Sequence, residues 1–152
     1  MHYMRIINRH FKRNYQEVEK YEAGIVLTGP EVKAIRAGNV LLEKAFGKLI
    51  DGQLYLMNAQ IHKYQFGNQE HYDPIQKRKL LLHRKELTRM STKLRAGGRL
   101  TIVPIACYTK GRHIKLSIAL ARGQGEIAKK KLERAEDVKR KEKIEMKEFI
   151  KK

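Results

Sequence analysis

Hydrophobic and polar residues alternate most regularly in the stretch from His113 to Leu120. One set of alternate positions is apolar (Ile114, Leu116, Ile118, Leu120), and the other is mixed (His113, Lys115, Ser117, Ala119). A period of two residues predicts a β-strand, here with one apolar face and one partly basic face. The preceding run, Arg99 to Thr109, is apolar at both sets of positions. It therefore predicts a central strand, joined to the next by a turn at Lys110-Gly111.

A shorter antiparallel pair is predicted in the middle of the chain. The runs Phe46 to Ile50 and Gln53 to Met57 flank the dipeptide Asp51-Gly52. Asp-Gly favours a two-residue hairpin turn because both turn positions need positive φ. A further extended run, Tyr21 to Leu27, lies earlier in the chain.

Two helices are predicted beside these strands. The segment Thr28-Gly29-Pro30-Glu31 is typical of a helix start, with a capping threonine, a proline in the first turn and a glutamate three positions after the cap. This helix should end at Gly38, with Lys33 and Arg36 beside its apolar face. The second helix runs from His83 to Arg95 and should end at the glycine pair that follows.

These elements together predict a mainly β protein with flanking helices. Several short antiparallel strands with interposed helices are typical of a small closed barrel, and the oligonucleotide-binding (OB) barrel is one such architecture. We therefore predict a small antiparallel OB-like barrel over residues 1–121. A basic C-terminal tail over residues 122–152 should follow it.

The net charge of the chain indicates the kind of partner that the protein binds. The sequence holds 34 Lys and Arg against 16 Asp and Glu, a formal net charge of +18. Residues 1–121 hold 22 basic against 9 acidic residues, and residues 122–152 hold 12 against 7. Solubility of a small domain needs a net charge of only about 2–8. The excess favours a polyanionic partner, either nucleic acid, whose phosphates Lys and Arg neutralise, or an anionic membrane surface.

Other features argue against a secreted or membrane protein. The longest apolar stretch, Ile102 to Tyr108, is far shorter than the ~20 residues that span a bilayer. The basic N-terminus lacks the apolar core of a signal peptide. The single cysteine, Cys107, cannot form an intramolecular disulfide. These observations predict a cytoplasmic protein.

No catalytic or metal-binding pattern stands out, so we predict a protein that is not an enzyme and uses no cofactor. His62, His71, Asp73 and His83 have spacings that match no zinc site. Cys107 lies in an apolar run and is predicted to be a small buried hydrophobic residue. Phosphate-loop and dinucleotide fingerprints are absent.

The densest basic cluster is Lys77-Arg78-Lys79, followed by three leucines and His83-Arg84-Lys85. A charge run of this kind is often only a solvated turn. Within a strongly positive body, a phosphate-binding ridge is the better interpretation. Glu22 is an acid in this basic body. The sequence leaves open whether it pairs with a neighbouring lysine or accepts hydrogen bonds from RNA.

The tail has apolar residues at loosely helical spacing among charges of both signs, and no Gly or Pro after Gly125. Its apolar stripe is too thin to hold an isolated helix. We predict a segment that is mobile alone and becomes helical when RNA takes up its charge.

Four segments carry a resemblance to a known family. They are Tyr21–Gly38 (YEAGIVLTGPEVKAIRAG); Gly67-Asn68 with His71-Tyr72-Asp73-Pro74 and Lys77–His83 (KRKLLLH); Leu100–Ile105 (LTIVPI) with Tyr108; and Lys115 through Gly123. The first two motifs are long and specific, and the four together span nearly the whole body. They resemble the SsrA-binding protein family, also called the small protein B family.

The resemblance implies an OB-like barrel that binds the tRNA-like domain of transfer-messenger RNA and delivers this RNA to stalled ribosomes for rescue by trans-translation. It places the tail along the decoding site and the message channel of the ribosome, where the tail becomes helical. The elongation factor that delivers aminoacyl-tRNA is an additional candidate partner. Contacts with the RNA carry over to Glu22, Leu81, His83 and Lys115. With the basic clusters, the predicted RNA-binding set is Glu22, Lys33, Arg36, Lys77, Arg78, Lys79, Leu81, His83 and Lys115.

The sequence departs from the family pattern at two places. Arg13 stands where the family has a histidine, and Ile127 stands where the start of the family's tail has an aromatic residue or histidine. The residues predicted to face the ribosome are Ile127, Lys129, Lys130, Lys131 and Arg134. The alternative interpretation of the whole chain is a structural ribosomal protein, or another RNA-binding protein of the translation apparatus, with a barrel and a basic tail.

Overall fold

The computed structural model describes residues 3–66, 70–124 and 133–144 of the chain. Its strands are β1 (Arg5–Ile7), β2 (Tyr15–Ile25), β3 (Val40–Leu41), β4 (Phe46–Ile50), β5 (Gln53–Met57), β6 (Gln60–Ile61), β7 (Arg78–Leu81), β8 (Leu100–Lys110) and β9 (His113–Gly123). Its helices are α1 (Phe11–Asn14), α2 (Gly29–Arg36) and α3 (Arg84–Arg95). Residues 133–144 form a further helix, α4.

Six of these strands form a closed ring. Their order is β8-β4-β5-β7-β2-β9, and β9 pairs back with β8. Strand β1 adds to the free edge of β8, and β3 pairs separately with β6. All of these pairings are antiparallel. The prediction of a mainly antiparallel β protein with helices beside the sheet is confirmed.

Strands β8 and β9 form the longest pair in the ring, and their predicted bounds differ from the observed ones by only a few residues. The two strands pair from Leu100↔Arg122 to Lys110↔His113. The turn therefore lies at Gly111-Arg112, one residue later than expected, with Gly111 at φ +62°. The tip of β9 continues past the expected body boundary at residue 121, and the Gln124 N–H donates to the carbonyl of Asn14 at 2.8 Å.

The interior of the ring holds the core. The apolar positions of β9 that were predicted to face inward are all buried. Leu54 and Leu56 of β5, with Leu80 of β7, complete the layer from the opposite side of the ring. Ile35 of α2 and Met90 of α3 join this same cluster. Helices α2 and α3 are thus attached by their apolar faces, and full burial of such a side chain contributes about 1.5–3 kcal/mol.

The prediction of a partly basic outer face on β9 is confirmed at the start of the strand, where His113 and Lys115 lie, and the later outward positions are covered. Ser117, Ala119 and Ala121 are buried. The reason is the N-terminal segment, for which the sequence predicted no element: Phe11 of α1 packs on the two alanines and on Val103. The Asn8 side chain fixes this segment by donating to the carbonyl of Pro104 at 2.9 Å.

The β4–β5 hairpin has the predicted bounds, and its turn has the predicted geometry, with Asp51 at φ +50° and Gly52 at φ +77°. The ring closes where Gly47 of β4 pairs with Ile102 of β8. A Cβ atom at Gly47 would lie 2.4 Å from Cγ2 of Ile102, so only glycine allows this approach.

The two predicted helices are confirmed. Helix α2 begins with the expected capping box between Thr28 and Glu31, and Gly38 follows its end at φ +86°. Helix α3 follows His83, whose backbone N–H donates to Glu86 at 3.1 Å. Within the described ranges, no helix combines the length and apolar character needed to cross a bilayer.

Candidate nucleic-acid interface

A row of outward-facing residues crosses four neighbouring strands at one end of the ring. The register aligns Tyr108 of β8 with Lys115 of β9, Lys115 with Gly24 of β2, and Gly24 with Leu81 of β7. Adjacent strands lie about 4.8 Å apart, so the row forms one continuous surface. We call Tyr108, Lys115, Gly24, Leu81 and the adjoining Glu22 the Glu22 face.

Glu22 is the acid of this face, and it has two partners. The Tyr108 hydroxyl donates to Oε2 of Glu22, and Nζ of Lys110 lies 3.0 Å from Oε1. The hydrogen bond from Tyr108, followed by that from Lys110, holds the pKa of Glu22 below its ordinary value. The pairing with a lysine, left open by the sequence, is present. The Glu22 side chain is also 41% exposed and so remains accessible to a ligand.

Tyr108 connects this acid to a second cation. Burial and the bond to Glu22 raise the pKa of the Tyr108 phenol to about 12, so the phenol stays a proton donor at neutral pH. The guanidinium carbon of Arg5, on β1, lies 5.8 Å from the centroid of the Tyr108 ring. The ring therefore lies between a carboxylate at its hydroxyl and a cation over its face.

Gly24 and Leu81 form the apolar part of the face. A Cβ atom at Gly24 would lie 3.3 Å from Cβ of Leu81, so the leucine lies against the bare backbone. The Leu81 side chain is 51% exposed. An exposed leucine flanked by cations offers an apolar contact to a sugar or a base.

The basic ridge predicted at Lys77-Arg78-Lys79 is divided by strand geometry. Lys77 and Lys79 are exposed, and Nζ of Lys77 lies 5.0 Å from the centroid of the Tyr55 ring. His83 is exposed at the start of α3, three residues after Leu80. These three positions remain available to a ligand.

Arg78 is buried, which contradicts its prediction as an RNA contact. Its side chain is 2% exposed and forms an ion pair with Glu31, Nη2 to Oε2 at 2.7 Å. It also donates to the carbonyl of Ala59 at 2.7 Å and to that of Pro74 at 3.0 Å. Strand alternation explains this, because Arg78 and Leu80 point inward while Lys79 and Leu81 point outward.

Glu31 receives that guanidinium at the start of α2. Its burial raises the pKa of the carboxyl, but the Thr28 N–H and the Arg78 guanidinium outweigh it, and the pKa lies below the ordinary value. The Tyr72 hydroxyl lies 3.0 Å from the same carboxylate oxygen. Glu31, Tyr72 and Arg78 thus join α2, the segment before β7 and β7 itself, and we call them the buried pair network.

The two basic residues predicted on α2 have different surroundings. Nζ of Lys33 is exposed and lies 5.5 Å from the centroid of the Tyr64 ring. Nη2 of Arg36 donates to the carbonyl of Arg112 in the β8–β9 turn at 3.0 Å. Lys33 is therefore open to a ligand, whereas Arg36 holds α2 against the turn.

Of the tail residues predicted to face the ribosome, only Arg134 can be placed. Ile127, Lys129, Lys130 and Lys131 lie outside the described residues. Arg134 is exposed on α4. Glu133 of the same helix forms an ion pair with Arg13 at 2.7 Å, which brings the helix start beside α1.

The sequence reasoning missed Tyr108 as a member of the Glu22 face, and it missed Lys110 and Arg5 as the cations beside that face. Tyr108 belongs to one of the motifs that carry the resemblance, and its place directly after the apolar Cys107, on the opposite side of an alternating strand, was the available signal. Arg5 had no signal, because its strand was not predicted.

Two other chemistries that the sequence raised, a metal site and a reactive thiol, find no support among the described residues. Among the residues with described positions, no three His, Cys, Asp or Glu side chains come together as a metal site. Cys107 is buried as predicted, and burial raises the pKa of its thiol to about 12. A protonated thiol inside the core is a poor nucleophile.

The structure is an antiparallel ring of strands, and its Glu22 face combines a lysine, an accessible carboxylate and an exposed leucine. These features define a small β protein suited to a polyanion that also has apolar and hydrogen-bonding groups. Residues 5–148 match the family model described as SmpB protein. The chain belongs to the SmpB protein family.

Individual relatives agree with this assignment. The chain is 44% identical over 117 residues to the SsrA-binding protein of Carboxydothermus hydrogenoformans, covering 77% of this chain and 78% of the relative. It is 41% identical over 136 residues to the SsrA-binding protein of Chloroflexus aggregans, covering 89% and 82%. A chain of the solved structure "tmRNA-SmpB: a journey to the center of the bacterial ribosome" superposes with a TM-score of 0.66 at 43% identity, covering 80% of this chain and 85% of that one.

Proposed function

We propose that this protein binds the tRNA-like domain of transfer-messenger RNA and delivers that RNA to stalled ribosomes for trans-translation. The Glu22 face carries the proposal, because it combines a cation, a hydrogen-bonding carboxylate and an apolar side chain on one surface. The relatives named SsrA-binding protein and the tmRNA-SmpB structure supply the identity of the RNA. The ribosome is the second partner, and both partners imply action in the cytoplasm.

The ring of six strands is proposed to be an OB-like barrel, with its end at Lys115, Gly24 and Leu81 as the RNA-binding surface. Lys115 supplies a phosphate contact, Leu81 an apolar contact, and Glu22 an acceptor for ribose or base donors. Lys33, Lys77 and Lys79 extend the cationic surface around it, and His83 adds a ring that can stack or form a hydrogen bond. The protein is proposed to act by binding alone, without catalysis.

The division into body and tail is also a proposal. The body ends with the hydrogen bonds of Gln124, whose amide donates to the carbonyl of Tyr15 at 2.9 Å. Beyond it, residues 134–144 of α4 are exposed throughout. A helix without a buried face suits a segment whose binding surface lies on another molecule, here the decoding site and message channel.

Sequencing of the RNA that copurifies with the native protein tests the proposal most directly. We expect one small structured RNA, in amounts well below those of the ribosome. Stoichiometric co-sedimentation with ribosomal subunits that survives a high-salt wash would instead identify a structural ribosomal protein.

Lys115→Ala tests the Glu22 face itself. Loss of one charge-assisted contact should weaken binding of the tRNA-like domain about tenfold. The slope of log affinity against log salt concentration should become shallower by about one. Lys12→Ala, the same change on exposed α1 at the opposite end of β9, is the matched control and should leave affinity nearly unchanged. Equal affinities for the two variants would show that the face is misplaced.

A truncation after Gln124 tests the tail. It keeps the hydrogen bonds of Gln124 to the body. We expect unchanged affinity for the tRNA-like domain and loss of tagging of stalled peptides in a reconstituted translation assay. A loss of RNA affinity in the truncated protein would contradict the division of the chain into body and tail.

A further inference from the structure

A second outward surface lies on β4, β5 and β7, beyond Leu81. The register aligns Lys48 of β4 with Tyr55 of β5, and Tyr55 with Lys79 of β7. Neighbouring strands lie about 4.8 Å apart, so a lysine stem flanks the tyrosine on each side. Lys77, just before β7, adds a third cation over the Tyr55 ring, 5.0 Å from its centroid. We call these four residues the Tyr55 face.

The tyrosine ring of this face is not part of the core. Leu54 and Leu56, its neighbours on β5, point inward and are buried, while Tyr55 points outward and is half-buried. The three lysines around it are exposed. The ammonium of Lys77 over the ring shows that the ring is reachable from solvent, since a lysine head group stays hydrated at such a site.

Charge and shape together select the ligand. None of the residues of β4, β5 and β7 is acidic, so the lysines have no competing partner on these strands. Phe46, 37% exposed, and the half-buried Met57 pair on the next outward row and extend the apolar surface. A ligand that matches this surface carries several negative charges and a flat apolar group. An unpaired nucleotide strand has both in every residue, whereas a lipid headgroup or a run of Asp and Glu has no flat ring to stack on the tyrosine.

We propose that the Tyr55 face binds unpaired RNA nucleotides, with one base stacked on Tyr55 and with Lys48, Lys77 and Lys79 at the flanking phosphates. The base replaces the Lys77 ammonium over the ring, and the flexible lysine turns to a phosphate. Base stacking on an aromatic side chain is tolerant of sequence, because every base has a flat face. The inference rests on the proposed function only in taking RNA as the ligand, and it adds a contact separate from the Glu22 face.

The chain contains no tryptophan, which permits a direct test. Tyr55→Trp places a single indole at the proposed stacking position. Binding of a short oligoadenylate should quench its fluorescence strongly, because a base stacks on the ring. Inorganic polyphosphate, which offers charge without bases, should bind with little quenching. Equal quenching by both ligands, or none by oligoadenylate, would overturn the proposal.

Affinities of three further variants complete the test. Tyr55→Leu should weaken oligoadenylate binding roughly tenfold, and Tyr55→Phe should retain it, because the ring and not the hydroxyl stacks. Tyr64→Leu is the matched control, since Lys33 lies over that ring at 5.5 Å without flanking lysines on adjacent strands. It should retain affinity, and an equal loss at Tyr64 would show unselective binding. Circular dichroism checks that each variant is folded.

Two RNA sources share this chemistry, and the same variant distinguishes them. The affinity of Tyr55→Leu is measured for the isolated tRNA-like domain and for small ribosomal subunits. We expect it to fall for one of these two ligands, and that ligand is the source of the unpaired nucleotides. Loss for neither would overturn the proposal. Failure of the proposed function would appear as unchanged affinity of Lys115→Ala for the tRNA-like domain, and failure of this inference as unchanged affinity of Tyr55→Leu for oligoadenylate.

Discussion

Two carboxylate–cation pairs of this protein have nearly the same chemistry and opposite surroundings. In the buried pair network, the side chains of Glu31 and Arg78 are each 2% exposed. On the Glu22 face, those of Glu22 and Lys110 are 41% and 64% exposed. Both carboxylates have a tyrosine hydroxyl as a further neighbour, and both have a lowered pKa.

The difference in exposure shows which ion pair stabilises the fold and which can bind a ligand. A buried charge that loses its partner keeps the full cost of its desolvation. Glu31 and Arg78 must therefore stay together, and they fix α2 and the segment before β7. An exposed pair exchanges its partner for water or for another ion at little cost. Glu22 can accordingly leave Lys110 for the donors of an RNA without loss of structure.

Breaking the buried pair should have the largest effect. Arg78→Met removes the guanidinium and leaves Glu31 charged in the interior, which should cost about 3–5 kcal/mol. For a chain of this size, the Tm should fall by roughly 10 °C or more. Thermal unfolding followed by circular dichroism measures the shift.

The neighbouring lysine supplies the control for this variant. Lys79→Met makes a similar change one residue later, on the exposed side of β7, and should move the Tm by no more than about 2 °C. Similar melting temperatures for the two variants would mean that the buried pair contributes little, and the contrast between the two pairs would disappear.

The pH dependence of stability should distinguish the two carboxylates more finely. The pKa of Glu31 is lowered in the folded state, so its contribution is present above the ordinary value of 4.5 and is lost as pH falls through the lowered folded value. One proton changes the free energy of unfolding by at most about 1.4 kcal/mol per pH unit. Urea unfolding between pH 7 and pH 3 should therefore show a smaller loss for Glu31→Gln than for the unmodified protein.

Glu22→Gln is the matched variant on the surface. Because Glu22 is exposed, its removal should leave the pH profile of stability close to that of the unmodified protein. If the profile of Glu22→Gln flattened as much as that of Glu31→Gln, burial would not be the property that separates the two pairs.

Features set by neighbouring residues could be predicted from the sequence, whereas contacts between distant residues could not. The β4–β5 hairpin, the β8–β9 pair and both capped helices were predictable because turn chemistry and periodicity are local signals. Lys115 was placed correctly on the outward side of β9 because its neighbours alternate cleanly.

Arg78 was misassigned for a physical reason of the same kind. In the run Lys77-Arg78-Lys79 every residue is basic, so the alternation of the strand leaves no trace in the sequence. Its partner Glu31 is 47 residues away, and only the folded ring brings the two together. The packing of α1 on β9 was equally unpredictable, because it depends on a single aromatic residue of that short helix, Phe11.

The smallest expected effect lies within the Glu22 face, where Tyr108 is proposed to position the carboxylate. Tyr108→Phe removes only the hydroxyl that donates to Glu22 and leaves the ring beneath Arg5. The pKa of Glu22, followed by NMR, should rise toward its ordinary value, and affinity for the tRNA-like domain should fall a few-fold. In a Glu22→Gln background the same substitution should have no further effect on affinity, because the carboxylate it positions is already gone. If Tyr108→Phe lowered RNA affinity as much in the Glu22→Gln background, Tyr108 would contact the RNA itself. Glu22 and Tyr108 would then be independent RNA contacts, and Tyr108 would not position the carboxylate.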